Sequence, residues 1–171
     1  WKLSDPQLIV KKGIIEDNTK ISVVMCARRL GKSYLMLTLA VEKCLQTPGA
    51  IVKYVFPKQK SAKRNVVPEL VKILDDCPRH LKGEFKVADL EWIFPNGSKI
   101  QLAGCDSGNI ENIRGGNSHL NIVDEAGFCD DLKYAIRSVL GPTTKLTGGR
   151  TILVSTPSRS ENHEFIQHFV L

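Results

Sequence analysis

Three short groups of residues in this sequence have the types and spacing that phosphate chemistry needs. The first is Cys26-Ala27-Arg28-Arg29-Leu30-Gly31-Lys32-Ser33, which follows the run Ile21 to Met25 and precedes an apolar-periodic segment from Tyr34 to Leu45. A strand, a short loop ending Gly-Lys-Ser and a helix make the signature of a phosphate-binding loop, whose backbone N–H groups wrap nucleotide phosphates at a helix N-terminus. In that arrangement Cys26 to Ser33 cradle ATP, Lys32 reaches the β- and γ-phosphates, and Ser33 holds Mg²⁺. The pattern usually opens with Gly. Here Cys26 stands there, so the loop must leave its strand without the residue freest at positive φ. The plainer alternative is that Gly-Lys-Ser is ordinary helix-start chemistry.

The second group, Asp124-Glu125, closes the apolar run Leu120 to Val123, and the third, Ser155-Thr156, closes Arg150 to Val154. Phosphoryl transfer to water requires positioned phosphates, Mg²⁺, an oriented water and positive charge on the transition state. Asp124 suits the Mg²⁺ shell together with Ser33, and Glu125 suits polarisation of the attacking water. Arg28 lies inside the loop, where a guanidinium can fork onto γ-phosphate oxygens, while Arg29 is expected to face outward. The hydroxyls of Ser155 and Thr156 could sense the γ-phosphate. Taken singly, an acidic pair is a solvated strand end and Ser-Thr-Pro is a turn.

The elements that must position these groups follow from periodicity. A short helix near Pro6 and a turn at Asp17-Asn18-Thr19 precede the first strand. The helix after the loop carries Leu35, Leu39 and Val41 toward a core and stops at Pro48-Gly49. Ile51 to Phe56 is a second strand. Lys58 to Cys77 is a helix broken or restarted near Pro68, whose Lys58, Lys60, Lys63 and Arg64 form either a solvated basic face or a surface that meets phosphate. Glu91 to Leu102 is a hairpin around Asn96-Gly97, and the Gly- and Asn-rich Ser107 to Ser118 is expected to be a mobile loop. Asp131 to Leu140 and Glu161 to Leu171 are the remaining helices. Strands alternating with helices imply an α/β fold with a mostly parallel sheet, helices on both faces and the hairpin added outside it. Ligands bind such sheets beyond the strands' carboxyl ends, where all three groups fall.

The composition of the 171 residues, 42% hydrophobic and 25% charged, fits one globular domain. Net charge is +6, a weak pointer to a polyanionic partner. Five cysteines, without a C-x-x-C pair, argue for reduced thiols in a cytosol-like compartment and against a disulfide framework or zinc site. No apolar run approaches membrane-spanning length, and no signal peptide is visible. The chain starts at Trp1 and is expected to be a piece of a longer protein.

Taken in order, Cys26 to Ser33, Asn121-Ile122-Val123-Asp124-Glu125-Ala126 and Val154-Ser155-Thr156-Pro157 resemble the packaging ATPase domain of tailed-bacteriophage large terminase subunits, over roughly Gln7 to Pro157. The resemblance implies a single P-loop NTPase domain of the ASCE/RecA-like type that hydrolyses ATP with Mg²⁺ to drive double-stranded DNA into a procapsid. By the same resemblance Arg28 is the cis-acting arginine, Asp124 the Mg²⁺ partner, Glu125 the catalytic base and Ser155-Thr156 the coupling element. Gln7 stands where the family has an adenine-side glutamine. Arg114 stands where some members place an arginine that reaches the neighbouring subunit's nucleotide, though it could instead only pin its loop. A homo-oligomeric ring, a portal protein and a small terminase subunit are the implied partners, in the cytoplasm of an infected bacterial host. The family's nuclease domain is not within these residues. Rival readings are a superfamily 2 helicase core, which would need a second RecA-like domain, and a nucleotide-gated DNA-binding or assembly module, for which Glu125 would be superfluous.

Overall fold

In the computed structural model, which describes all residues from Trp1 to Leu171, seven strands form one sheet. In chain order they are β1 (Ile21–Met25), β2 (Ile51–Phe56), β3 (Glu84–Lys86), β4 (Glu91–Ile93), β5 (Lys99–Gly104), β6 (Leu120–Asp124) and β7 (Arg150–Ser155). Across the sheet the order is β1-β7-β6-β2-β5-β4-β3. The first five in this order are mutually parallel; β4 adds antiparallel to β5, and β3 antiparallel to β4. The expected hairpin is β4–β5, and β3 extends it by a strand too short for periodicity to reveal.

Three helices cover one face: α1 (Asp5–Glu16), α2 (Lys32–Gln46) and α3 (Gln59–Ile73). α2 is buried at Leu35, Met36, Leu37, Ala40, Val41 and Cys44, an apolar set too wide for one stripe, because the helix lies over the sheet between its neighbours. Leu39 is only partly buried. Against it pack Val52, Tyr54, Ile100, Ile122, Ile152 and Val154 from alternate positions of the central strands. The opposite residues of those strands, Val55, Ala103, Val123 and Leu153, build a second core with Leu132, Ile136, Val139, Leu140 and Phe165. That second cover is a continuous helical segment, Leu132–Tyr134, a π-helical Ala135–Leu140 and Gly141–Thr143. Helices on both faces of a mostly parallel sheet are thus present as expected.

Several local expectations are corrected. α3 runs unbroken through Pro68, whose missing N–H forfeits one bond to the carbonyl of Arg64, an exposed residue. The stretch expected to be a mobile loop holds short 3-10 turns within Asp106–Ile113, kinked at Ser107 and Gly108, with Ile110 and Ile113 buried. The last helix is shorter than Glu161 to Leu171: a turn precedes the π-helical Ile166–Val170. All five cysteines are free, and no helix is long and apolar enough to cross a membrane.

The turn into β1 is built on Asp17. Its carboxylate accepts hydrogen bonds from the Ser22 hydroxyl at 2.6 Å and from the Thr19 N–H and hydroxyl at 2.9 and 2.8 Å. Arg150 lies 3.4 Å from it and also donates to the carbonyl of Ile14 at 2.5 Å, tying the end of α1 to the sheet. Ser22 above all, then Thr19 and Arg150, bring the Asp17 carboxyl down to about 2. A depressed folded-state value stabilises the fold above the unfolded carboxylate range near 4. That stability is lost as pH falls toward about 2. Asp17→Asn should therefore unfold at lower urea than the parent at pH 6, and the gap between their midpoints should close on acidification toward pH 2; an unchanged gap would refute this linkage.

Candidate nucleotide site

β1, β6 and β7 end together. Met25 lies opposite Ser155, and Asp124 opposite Val154, so the loop after β1, the acidic pair after β6 and the hydroxyls after β7 meet at one edge of the sheet. Cys26 stays bonded into that edge, its N–H donating to the carbonyl of Ser155 at 3.0 Å. The left-handed residues of the loop are Arg29 (φ 68°) and Gly31 (φ 75°), not Cys26. A glycine is needed where the chain turns into α2, and the first loop position does not demand one. Gly31 is also a close approach: a Cβ there would stand 2.6 Å from Nε2 of Gln7.

α2 begins at Lys32 with its first-turn N–H groups free of helical partners, a positive end that suits an anion. The Ser33 hydroxyl donates to Oδ2 of Asp124 at 2.6 Å, and the Tyr54 hydroxyl donates to the same oxygen at 2.7 Å. Oδ1 of Asp124 accepts from the Glu125 N–H at 2.8 Å. Asp124 is fully buried. Burial pushes its carboxyl up, while the Ser33 and Tyr54 hydroxyls draw it back. Burial, then the neighbouring Asp124, push the Tyr54 phenol well above its usual range and keep it a donor.

Lys32 Nζ lies 3.1 Å from Oε1 of Glu125. Glu125 adopts the left-handed region, φ 52° and ψ 42°, uncommon for a residue with a side chain and worth about 1 kcal/mol or more of strain. The Thr156 hydroxyl approaches its other oxygen at 3.4 Å. Ser155 faces elsewhere, accepting from the Gly127 N–H at 3.0 Å, and so ties the end of β7 to the turn that follows Glu125.

The other sequence candidates divide. Gln7 is brought to the loop, but its amide already donates to the Gly31 carbonyl at 3.0 Å and accepts from the Ser4 N–H at 2.8 Å. Arg28 and Arg29 are both exposed, and Arg29, with Gly31, Lys32 and Ser33, lines a concavity of about 490 Å³ whose lining does not include Arg28. α3 supplies the opposite wall through Arg64 and Asn65, which separates Arg64 from the rest of the basic stretch. Arg114 is not among these residues. Its Nε pairs with Glu111 at 2.6 Å, and a terminal nitrogen donates to the Tyr134 hydroxyl at 2.6 Å. Sequence reading missed Tyr54, since an aromatic in an apolar strand carries no polar signal until its hydroxyl is seen to meet Asp124.

No cluster of three His, Cys, Asp or Glu side chains is placed to hold a metal. The pairing of one hydroxyl and one buried carboxylate at 2.6 Å nevertheless fits Mg²⁺, a hard cation that takes few protein ligands and completes its shell with phosphate and water. A positive helix end, an oxygen pair suited to Mg²⁺ and a carboxylate held by the loop lysine, all beyond the carboxyl ends of parallel strands, define a P-loop NTPase fold.

Comparison with known proteins agrees. The family described as "Terminase large subunit, T4likevirus-type, N-terminal" matches residues 23–169, and the chain belongs to it. The Thermus phage P74-26 large terminase ATPase domain superposes with TM-score 0.71 at 20% identity, covering 92% of this chain and 66% of its own. The large terminase of a thermophilic bacteriophage, in complex with ADP, gives 0.77 at 16%, covering 99% and 42%. The N-terminal domain of the DNA packaging ATPase from bacteriophage phi29 gives 0.67 at 16%, covering 96% and 84%. These likenesses concern the fold, and the chain spans only part of the length of the first two. No curated protein matches the sequence.

The Tyr54–Asp124 bond makes a specific demand. Tyr54→Phe keeps the ring and deletes one donor to a buried carboxylate, so the unfolding free energy should fall by about 1.5–3 kcal/mol. Urea denaturation checks this, and a loss below about 0.5 kcal/mol, the low end for any hydrogen bond, would mean that the bond does not form in solution.

Proposed function

We propose that this domain binds ATP·Mg²⁺ and hydrolyses it as the motor half of a phage large terminase subunit, moving double-stranded DNA into a procapsid. The observation that carries the reading is the joint geometry of Ser33 with Asp124 and of Lys32 with Glu125, in a chain of the terminase family. Ser33 and Asp124 are the residues that would hold Mg²⁺, and the ion would supply charge neutralisation on the phosphate oxygens. Lys32 and the amides of the loop bind and orient the phosphates. Arriving phosphate competes for Lys32, and Glu125, released from its ion pair, is then free to accept a hydrogen bond from the attacking water and take its proton. Thr156 lies beside that carboxylate and Ser155 is bonded to the turn behind it, which suits a coupling element between γ-phosphate and the segment after β7.

Positive charge for the transition state comes from the loop arginines, with Arg28 the family expectation and Arg29 the one that lines the concavity. Arg64, on the facing wall, adds a third candidate. We assign Arg114 to the nucleotide of a neighbouring subunit in a homo-oligomeric ring. Gln7 would meet adenine with the amide hydrogen it does not spend on Gly31. The family role implies a portal protein and a small terminase subunit as further partners, within the infected host's cytoplasm, and a nuclease domain elsewhere in the full protein.

Lys32→Ala should abolish ATP binding while leaving the fold intact by circular dichroism. Glu125→Gln should leave nucleotide affinity nearly unchanged and lower hydrolysis by roughly two to four orders of magnitude. Equilibrium binding of a fluorescent ATP analogue and phosphate-release kinetics separate the two effects. Retained ATP binding and turnover in Lys32→Ala would remove the assignment.

DNA contact should be to the phosphate backbone, since movement along any sequence cannot depend on base edges. Lys58, Lys60 and Lys63 remain as its candidates once Arg64 is placed at the concavity. Neutralising these three should weaken duplex binding equally across sequences and reduce the log–log salt slope by roughly 0.9 per lost contact. A slope that does not change would locate the DNA surface elsewhere on the domain.

A further inference from the structure

Lys53 is a buried cation that the proposed chemistry does not use. It lies on β2, between β6 and β5, and is only 2% exposed. No carboxylate pairs with it. Its Nζ instead donates to the carbonyl of Ile113 at 2.5 Å and to the carbonyl of Gly115 at 2.7 Å. Burying an ammonium without an anion is costly, and oriented carbonyl dipoles are what make it tolerable here. Burial, with Lys99 adding, lowers its pKa from the usual lysine value.

The two carbonyls flank Arg114. Beyond it the chain runs through Gly115 (φ 81°) and Gly116 (φ 66°) to Asn117, all exposed, before Ser118 is bonded to Thr143. Apart from the turn bond from the Arg114 N–H to Glu111, Lys53 provides the hydrogen bond that anchors this glycine-rich stretch. Side chains alternate along a strand, so the neighbouring Tyr54 points to the other face, where it bonds Asp124. One strand therefore carries, on consecutive residues, the tether of the Arg114 segment and a ligand of the nucleotide-site carboxylate.

We propose that Lys53 is a positioning residue for Arg114, fixing the peptide unit that precedes it and the Gly115–Gly116 unit one residue beyond it, so that its guanidinium is presented at a set point to the neighbouring subunit's nucleotide. The inference rests on the assignment of Arg114 to that role and adds the device that holds it there.

The test uses the full chain under conditions in which subunits assemble, with Lys53→Met, which keeps length and apolar bulk but removes every donor. Turnover should fall roughly 10- to 100-fold, the scale of an ångström's misplacement, with the KM for ATP within about twofold of the parent. Trypsin should cut after Arg114 faster in Lys53→Met than in the parent, a readout independent of activity. Combined with Arg114→Ala, Lys53→Met should cost nothing further, because it acts through the arginine already removed. If Arg114→Ala alone retains full turnover, the trans assignment fails, whereas faster cleavage in Lys53→Met would still uphold the tether. If Arg114→Ala is impaired but Lys53→Met matches the parent in turnover and cleavage, or lowers turnover further in the double variant, Lys53 is not a positioning residue. Should Lys53→Met not fold, Lys53→Gln, too short to bridge both carbonyls, carries the same expectations.

Discussion

The buried carboxylate of Asp124 is the point on which the site's geometry depends. A charge with no exposure is unfavourable unless its oxygens are filled by donors, and here the donors come from separate elements: Ser33 from the start of α2, Tyr54 from β2 and the backbone after β6 itself. Satisfying one carboxylate therefore fixes the start of the phosphate loop's helix against two strands that are not its own. The sheet order makes this possible, because α2 leaves β1 and crosses to lie over β6 and β2. Displacing any of the donors would leave charge uncompensated, so the three elements are held in register at this carboxylate.

Glu125 is arranged on the opposite principle. It is partly exposed, its backbone is in a strained region, and its side chain is held by Lys32 at ion-pair distance, with only the long Thr156 contact beside it. The turn behind it supplies the compensation: the Phe128 N–H donates to the Glu125 carbonyl at 2.9 Å, and Ser155 secures Gly127. A residue held by one exchangeable charge, next to one held by several buried hydrogen bonds, is suited to change partners while its neighbour stays still. Nucleotide phosphates offer Lys32 a stronger anion than a single carboxylate does.

Much of this was legible in the sequence because the motifs are local. Strand, Gly-Lys-Ser and helix specify their own geometry, and two apolar runs ending in Asp124-Glu125 and Ser155-Thr156 specify where those residues stand once the sheet is parallel. What was not legible depends on partners distant in sequence. Tyr54 reads as core, as does Lys53 as a stray charge in a strand, until β2 is known to lie between β6 and β5. Arg28 and Arg29 cannot be told apart by spacing, since the left-handed turn at Arg29 decides which of them lines the concavity. The Gly and Asn content of Ser107 to Ser118 points to a loop, and the burial of Ile110 and Ile113 overrides that composition. Pro68 likewise fails to break α3, because Ala62, Val66, Leu70 and Ile73 on both sides of it are buried in one continuous face.

The surroundings of Arg114 bear on how a subunit would depend on its neighbours. The arginine is not waiting without a partner: Glu111 and the Tyr134 hydroxyl hold it, and its guanidinium lies 5.8 Å from the Tyr134 ring centroid. Glu111 in turn accepts from Tyr134 at 2.5 Å, so the three side chains form one closed group on the surface. An exposed ion pair of this kind is screened by water and salt and is exchanged readily. A neighbour's triphosphate, carrying several charges in a site partly closed from solvent, would outcompete a lone carboxylate for the guanidinium. In an isolated subunit no such competitor is present, and Glu111 and Tyr134 keep the arginine. The same triad that would make the lone domain slow also restrains the side chain at the surface and would save part of the ordering entropy if a neighbour arrived. If Arg114 serves a neighbour as proposed, storage and delivery would be two states of one side chain whose backbone, held by Lys53 at Ile113 and Gly115, would not have to move.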